Sequence, residues 1–321
     1  MNGKDKISKI NLPTSFQAEG VNVFLIHNDT LTLVDAGQNV KGAWDAFTAQ
    51  LKSLGYQVKD IQQIILTHSH VDHTGLVHYF DHDVKLIGHP SSERWLHPTS
   101  SFLEQHDFFF QDFFHQIGVP PHIAQPYLAY KHRQVVSNAQ RSLDIYVEEG
   151  AEIPGLPQWM ALHTIGHAQG HLSLFHRQDK ILIGGDVLLP HISPNPIIEP
   201  PLHRGEEREK PQLQMNETLR RLLSFSIQRV LPGHGEDILN PNELIQHRLE
   251  RQHERAMQVR EWLMEELMTI FEVCQRLFPK SYQSTFGFTL FETVGQIDYL
   301  LSHQFITEEQ IKSGLNMEGA W

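Results

Sequence analysis

The chain has 321 residues, of which 40% are hydrophobic and 20% charged, so it can bury a substantial core and is not typical of a disordered protein. Its formal net charge of −12 argues against a general partner with a phosphate backbone or an anionic membrane, because such partners select basic surfaces. A single cysteine, Cys274, allows neither an intrachain disulfide nor a thiolate metal site. With no signal-peptide pattern and no window near the ~18 apolar residues of a membrane span, a cytoplasmic protein is expected.

Short β-rich runs alternate with helical patterns through most of the chain. Val21–Ile26 and Leu31–Val34 predict a hairpin, and apolar spacing predicts a helix over residues 39–54 that ends before Gly55. Further strands are predicted at 61–67, 84–88, 143–147, 159–163, 172–175, 181–183 and 228–231, and further helices from about residue 75 and at 212–224. This mixture indicates an α/β layered domain over residues 1–240.

Two segments differ from this pattern. Residues 91–140 are helical and aromatic, which predicts a lid-like insertion of about two helices. Its phenylalanines either form an apolar wall over a site or attach the insertion to the rest of the protein or to a second subunit; they are Phe108, Phe109, Phe110, Phe113 and Phe114. Residues 241–321 are rich in helix formers and contain capping-box patterns that begin at Thr269, Thr289 and Thr307, which predicts a small helical C-terminal domain.

The stretch LTHSHVDHTG, at residues 66–75, places three histidines and an aspartate directly after a predicted buried strand. His68 and His70 are two positions apart, so both imidazoles point to the same side of extended backbone. Asp72 and His73 follow where the chain turns into a helix. Imidazole and carboxylate together suit zinc or another borderline transition metal. In a chain with 22 histidines, a hydrated surface loop is the alternative for this stretch alone.

Similar side chains follow other predicted strands. His167 lies in TIGHAQGH, Asp186 ends ILIGGD, and His234 lies in VLPGHGE; Asp35 follows a further strand in LVDAG. Loops at the strand ends of a rigid sheet are where a preorganised site is built. The recurrence therefore favours a metal centre over a surface loop. The histidines outside these motifs are expected to be structural or solvent-facing, and His163 is expected to pack.

The ordered motifs HSHVDH, GHAQGH, GGD and PGHG, with Asp35 before them, span about residues 18–240 and resemble the metallo-β-lactamase superfamily. This resemblance implies an αββα sandwich and a metal-dependent hydrolase. It assigns His68, His70 and His167 to one metal ion, Asp72, His73 and His234 to a second, and Asp186 to a bridge between them. Asp35 would support the site, and His171 would either support the ligands or face the substrate. Ligating histidines usually need such an oriented partner.

Two zinc ions are the cofactors that this resemblance implies, with iron or manganese as alternatives. Two divalent ions about 3.5–4 Å apart make hydroxide available near neutral pH, and Asp72 or Asp186 would orient it for attack. The expected substrate is a small-molecule ester, thioester or lactone. His191 and Asn195, in LLPHISPNP, are candidate substrate contacts. A Gly-x-Ser-x-Gly motif is absent from the sequence, which argues against a covalent serine mechanism.

The helical tail resembles the extension of the β-lactamase-like protein 2 group, which carries a winged-helix-like C-terminal domain and includes RNA-cleaving members. A zinc-dependent RNA-cleaving phosphodiesterase, or a nucleic-acid-binding module that acts through the tail, is therefore one alternative. However, residues 241–321 hold seven Lys/Arg against twelve Asp/Glu, which is unfavourable for phosphate. The tail is expected to pack near the active site or to form a homodimer. An iron-dependent redox enzyme on the same fold is the other alternative, although His70 stands where flavodiiron relatives tend to use glutamate.

Overall fold

The structure is a computed structural model that describes residues 6–15, 20–28, 30–138 and 140–314, so the outer ends of both predicted domains lie outside the described residues. Its strands are β1 (Lys6–Leu12), β2 (Val21–His27), β3 (Leu31–Val34), β4 (Gln63–Ile65), β5 (Lys85–Gly88), β6 (Ile145–Tyr146), β7 (Glu152–Ile153), β8 (Leu156–His163), β9 (Leu172–His176), β10 (Ile181–Gly185) and β11 (Arg229–Pro232). Its α-helices are α1 (Ala43–Ser53), α2 (Val71–Thr74), α3 (Glu93–Leu96), α4 (Ser100–Gln116), α5 (Pro121–Val136), α6 (Pro211–Leu222), α7 (Pro241–Glu265), α8 (Ile270–Leu277) and α9 (Phe286–Ser302).

The strands form two sheets. The first has the order β1-β2-β3-β4-β5-β6 and the second β11-β10-β9-β8-β7. In the first sheet β1, β2 and β3 are antiparallel, as the predicted hairpin requires, whereas β3 to β6 are parallel. In the second sheet only β10 and β11 pair in parallel. Since β8, β10 and β11 thus run in the same direction, their carboxyl ends lie at one edge.

The alternation of side chains in β2 explains how the sheets and helices are layered. Val23 and Leu25 pack with α1 on the outer face of the first sheet. Phe24 and Ile26 pack against the second sheet in the core between the sheets, where they meet Trp159. Burial on both faces is why β2 is a continuous apolar run in the sequence. On the outer face of the second sheet, α6 and α7 complete a third cluster. The predicted αββα sandwich is confirmed.

Several local predictions need correction. The helix expected from about Gly75 is α2, which begins four residues earlier at Val71 and so contains two of the candidate ligands. Capping boxes are present at Thr269 and Thr307, but Thr289 lies inside α9 and its hydroxyl donates to the carbonyl groups of the preceding turn. The strands β1 and β7 were not predicted. Among the described residues, no helix is long and apolar enough to cross a membrane.

The insertion and the tail share one apolar core. Phe110, Phe113 and Phe114 of α4 are buried with residues of α5, α8 and α9. The ring centroids of Phe110 and Phe291 lie 6.1 Å apart, whereas Phe108 is 64% exposed. Packing between the insertion and the tail therefore accounts for the buried phenylalanines. The helices of the tail, α7 to α9, agree with a helical C-terminal region.

Candidate metal centre

Three histidine nitrogens converge at the carboxyl ends of β4 and β8. His70 Nδ1 lies 2.9 Å from His68 Nε2 and 2.9 Å from His167 Nε2. Burial, reinforced by the neighbouring imidazoles, lowers the pKa of His68 and His70 well below the usual value. Burial also lowers the pKa of His167. The three rings are therefore neutral at physiological pH, and their lone pairs are available to a metal ion.

A second group of ligand atoms lies beside the first. His234 Nε2 is 3.2 Å and His73 Nε2 is 3.7 Å from Asp72 Oδ2. Burial opposes ionisation of Asp72, but the charge of His73 outweighs it and the pKa of this carboxyl is lowered. For His73, burial is outweighed by the carboxylates of Asp186, Asp35 and Asp72, so its pKa is raised well above the usual value. This strongly negative environment is one that a metal cation would neutralise.

The carboxylate of Asp186 lies between the two groups. Its Oδ2 is 3.6 Å from Nε2 of both His167 and His234, and its Oδ1 is 3.5 Å from His73 Nε2. Both Asp186 Oδ1 and His73 Nε2 are buried and have no hydrogen-bond partner among the described residues. Buried polar atoms without partners are rare. These two lie 3.5 Å apart, among the other oxygen and nitrogen atoms of the two groups. The residues therefore fit a metal centre.

Most of the candidate ligand rings are fixed through their other nitrogen. Asp35 Oδ2 lies 2.8 Å from His73 Nδ1, and Thr67 donates from its backbone N–H and its hydroxyl to the two Asp35 oxygens at 2.7 and 2.8 Å. The same hydroxyl lies 3.0 Å from His68 Nδ1. Backbone carbonyl groups at Asn195 and Gly20 lie 2.9 and 2.6 Å from Nδ1 of His167 and His234 respectively. Such contacts select the tautomer and orient the ring.

His171 is buried behind Asp186 and supports it. Its Nε2 accepts a hydrogen bond from the Asp186 backbone N–H at 3.0 Å, and its Nδ1 lies 2.8 Å from Thr164 Oγ1. Burial lowers the pKa of His171 well below the usual value, so the ring is neutral and can accept this bond. These contacts agree with the supporting role among the two expected for His171, and the role itself stays a prediction.

The remaining predicted residues lie outside this cluster of ligand atoms. His191 is exposed, and its Nε2 lies 2.8 Å from Glu236 Oε1. Asn195 contributes the backbone carbonyl that orients His167, and a substrate contact by its side chain stays a prediction. His163 stacks on His89, with ring centroids 4.0 Å apart, in the packing role expected of it.

Sequence reasoning missed Asn138, which joins the insertion to the ligand loop, residues 66–75. Its Nδ2 donates to the Ser69 carbonyl at 2.8 Å and its Oδ1 accepts from Thr74 Oγ1 at 2.6 Å. Asn138 is buried and far from the motifs in sequence, so no local pattern indicates this contact.

The sandwich of two sheets and the histidine–aspartate centre are typical of a class of metal-dependent hydrolases. Residues 17–234 match the family described as the Metallo-beta-lactamase superfamily. The chain is 38% identical over 303 residues to the probable metallo-hydrolase YqjP of Bacillus subtilis, and the match covers 94% of each chain. The chain thus belongs to the metallo-β-lactamase superfamily and is a metal-dependent hydrolase.

Other similarities agree with this assignment. The metallo-beta-lactamase family protein TTHA1429 from Thermus thermophilus has the same fold, with a TM-score of 0.78 and 22% identity over 93% of this chain and 94% of that one. The atrochrysone carboxyl ACP thioesterase of Aspergillus fumigatus is 24% identical, in a match that covers 77% of this chain and 61% of its own length.

Proposed function

We propose that the protein is a dinuclear zinc hydrolase that acts on a small-molecule ester, thioester or lactone. The observation that carries the proposal is the position of Asp186, whose carboxylate faces both groups of ligand atoms. A carboxylate that lies within 3.6 Å of histidine nitrogens from both groups is suited to bridge two ions. The donor set of five histidines and two aspartates contains no sulfur and favours zinc among the borderline metals.

Two divalent ions would polarise the substrate carbonyl and acidify a water molecule in this site. Asp72 and Asp186 both have a lowered pKa, because the neighbouring histidines outweigh the effect of burial. Both side chains therefore remain ionised at neutral pH and accept, rather than donate, a hydrogen bond from the attacking water. Cys274 is buried in the core between insertion and tail, and burial raises the pKa of its thiol, so it does not provide a nucleophile.

A carbonyl substrate is favoured by the likeness to a thioesterase, which is named for hydrolysis at an acyl carrier protein. The preference over RNA is supported by the charge of residues 241–321, where acidic residues outnumber basic ones.

Metal analysis of freshly purified protein, followed by assays with lactone, thioester, phosphodiester and β-lactam substrates, tests this proposal. We expect about two equivalents of zinc and turnover of a carbonyl substrate. Iron without hydrolysis would favour the redox alternative, and turnover of the phosphodiester alone would favour the nuclease.

Variants of two candidate ligands test whether turnover depends on the metal centre. His70→Ala and Asp186→Ala should lose hydrolysis while retaining the far-UV circular dichroism of the folded protein. His82→Ala is the matched control, because His82 is exposed and near the ligand loop in sequence but outside the cluster. Unchanged turnover in the first two variants would contradict the proposal.

A further inference from the structure

Gln169 joins three separate segments of the protein. It is buried and lies two residues after the candidate ligand His167, in a loop formed by residues 166–170 that we call the His167 loop. Its side-chain Nε2 donates to the Pro200 carbonyl at 3.1 Å, and its Oε1 accepts a hydrogen bond from Arg94 Nη2. A buried amide with partners for both its oxygen and its nitrogen is held in one orientation, because any other orientation would leave buried polar atoms unpaired.

Residues 195–201 contact the His167 loop near both ends of the segment. The Asn195 carbonyl lies 2.9 Å from His167 Nδ1 and orients the ring. Near the other end, Glu199 Oε2 accepts a hydrogen bond from the Gln169 backbone N–H at 2.9 Å. The carbonyl that fixes the His167 ring therefore belongs to a segment whose own position depends on Gln169.

Arg94 of α3 attaches this arrangement to the insertion. Its Nη1 donates to the Pro201 carbonyl at 2.9 Å, and its Nη2 donates to the Pro200 carbonyl at 2.7 Å as well as to Gln169. Its Cζ lies 5.0 Å from the ring centroid of Phe102, which holds the guanidinium from another side. An arginine fork is planar and rigid, so it fixes several acceptor oxygens relative to one another.

A second contact between the insertion and the His167 loop lies at Gly170. The hydroxyl of Ser92 donates to the Gly170 carbonyl at 3.3 Å. A Cβ atom at position 170 would lie 2.9 Å from the Ser92 backbone nitrogen, so only glycine allows this approach. The loop that carries His167 is thus bonded to the insertion at two neighbouring positions, 169 and 170.

We propose that Gln169 is a positioning residue for the candidate ligand His167. This inference rests on the proposed function, because it concerns one of the two metal sites. The His167 Nε2 atom has to remain near His68 and His70 if the three are to share an ion. Loss of the Gln169 side-chain hydrogen bonds would free both the loop and the Asn195 carbonyl, and so lower the affinity of that site. A role in packing alone would lower stability without selecting one metal site.

Zinc affinity, measured by competition with a chromophoric chelator, tests this role without a substrate. Gln169→Met keeps the approximate length of the side chain and removes both of its hydrogen bonds. We expect the affinity for one of the two ions to fall by about tenfold. Gln105→Met is the matched control, because Gln105 Nε2 donates to the Pro201 carbonyl at 3.0 Å and forms no hydrogen bond with the His167 loop among the described residues. The control should leave both affinities unchanged.

A double-mutant cycle with His167→Ala identifies the affected site. If Gln169 acts through His167, Gln169→Met causes no further loss of zinc affinity once His167 has been replaced. Arg94→Lys removes the planar fork but leaves Gln169 in place. It should weaken the same site, and it provides the comparison should Gln169→Met fail to fold. A loss that adds to that of His167→Ala, an equal loss for both ions, or no loss in either variant overturns the inference.

A failure of the proposed function would give a different result from a failure of this inference. A wild type that binds zinc but hydrolyses no ester, thioester or lactone contradicts the proposed function, and the zinc affinities of the variants still decide the role of Gln169. A wild type that binds zinc and turns over a carbonyl substrate, with unchanged affinities in Gln169→Met, contradicts the inference alone. A wild type that binds no zinc contradicts both.

Discussion

Asp35 and His73 are joined by a 2.8 Å hydrogen bond between the Oδ2 and Nδ1 atoms, although they are 38 residues apart in sequence. Asp35 directly follows β3 with a φ of 61°, a left-handed conformation that is costly for a residue other than glycine. This conformation is held by the two hydrogen bonds from Thr67. The consequence is that His73 presents Nε2, and not Nδ1, to the second group of ligand atoms.

In the proposed two-ion centre, Asp35→Asn should weaken the site that contains His73 and leave the other site intact. The amide oxygen can still accept from the Thr67 N–H. The amide NH2 group, however, would face the Thr67 hydroxyl and the His73 Nδ1–H, which both donate to Asp35 Oδ2 in the wild type. We expect a loss of about 10- to 100-fold in affinity for one zinc ion, measured by competition with a chromophoric chelator. Asp45→Asn, on the exposed face of α1, is the control. Equal weakening of both sites, or of neither, would show that Asp35 does not act through His73.

Metal removal should destabilise the fold. Without ions, several charged groups lie close together in a buried site. They are the carboxylates of Asp72 and Asp186 and the imidazole of His73, whose pKa is raised. A ligand at 100 times its Kd stabilises the native state by about 2.7 kcal/mol, so a chelator should lower the melting temperature by several degrees. Scanning calorimetry before and after dialysis against chelator measures this. Asp186→Ala should show a smaller decrease; a decrease equal to that of the wild type would refute a role for Asp186 in metal binding.

Phe110→Ala should cost about 3–5 kcal/mol in the free energy of unfolding, because it removes a fully buried ring that joins the insertion to α9. Phe108→Ala provides a control from the same helix, since Phe108 is largely exposed, and should change stability by less than about 0.5 kcal/mol. Urea denaturation of both variants provides the measurement. Similar losses in both would mean that the shared core does not stabilise the insertion.

Glu199 should make stability fall as pH rises. Burial raises the pKa of its carboxyl in the folded protein to about 7, so between its unfolded value of about 4.5 and pH 7 the native state binds more protons. The unfavourable contribution of Glu199 to the free energy of unfolding is therefore absent below about pH 4.5 and complete above about pH 7. From pH 5 to pH 8, Glu199→Gln should gain about 1–3 kcal/mol relative to the wild type in urea denaturation. The exposed Glu206→Gln serves as control; a wild type that gains on the variant would reverse the predicted sign.

The sandwich and the cluster of seven side chains follow from local sequence because strand periodicity and the motifs at strand ends are local signals. Other features depend on distant contacts. The two-residue strand β7 has no periodicity of its own, and Asn195 acts through a backbone carbonyl that no side chain indicates. The pattern at Thr289 resembles a helix start, but the apolar run around it continues the helix on both sides. Local sequence therefore predicts the strands that have a periodicity of their own, and it does not indicate features that depend on packing between distant residues.

The core shared by α4, α5, α8 and α9 also sets an order of events during synthesis. The phenylalanines of α4 leave the ribosome long before Phe286 and Phe291, and at usual translation rates the interval is on the order of ten seconds or more. Throughout that interval the nascent insertion has an apolar face without its native cover. Chaperone binding to stalled chains should therefore be strongest when the ribosome has passed α5 and has not yet released α9.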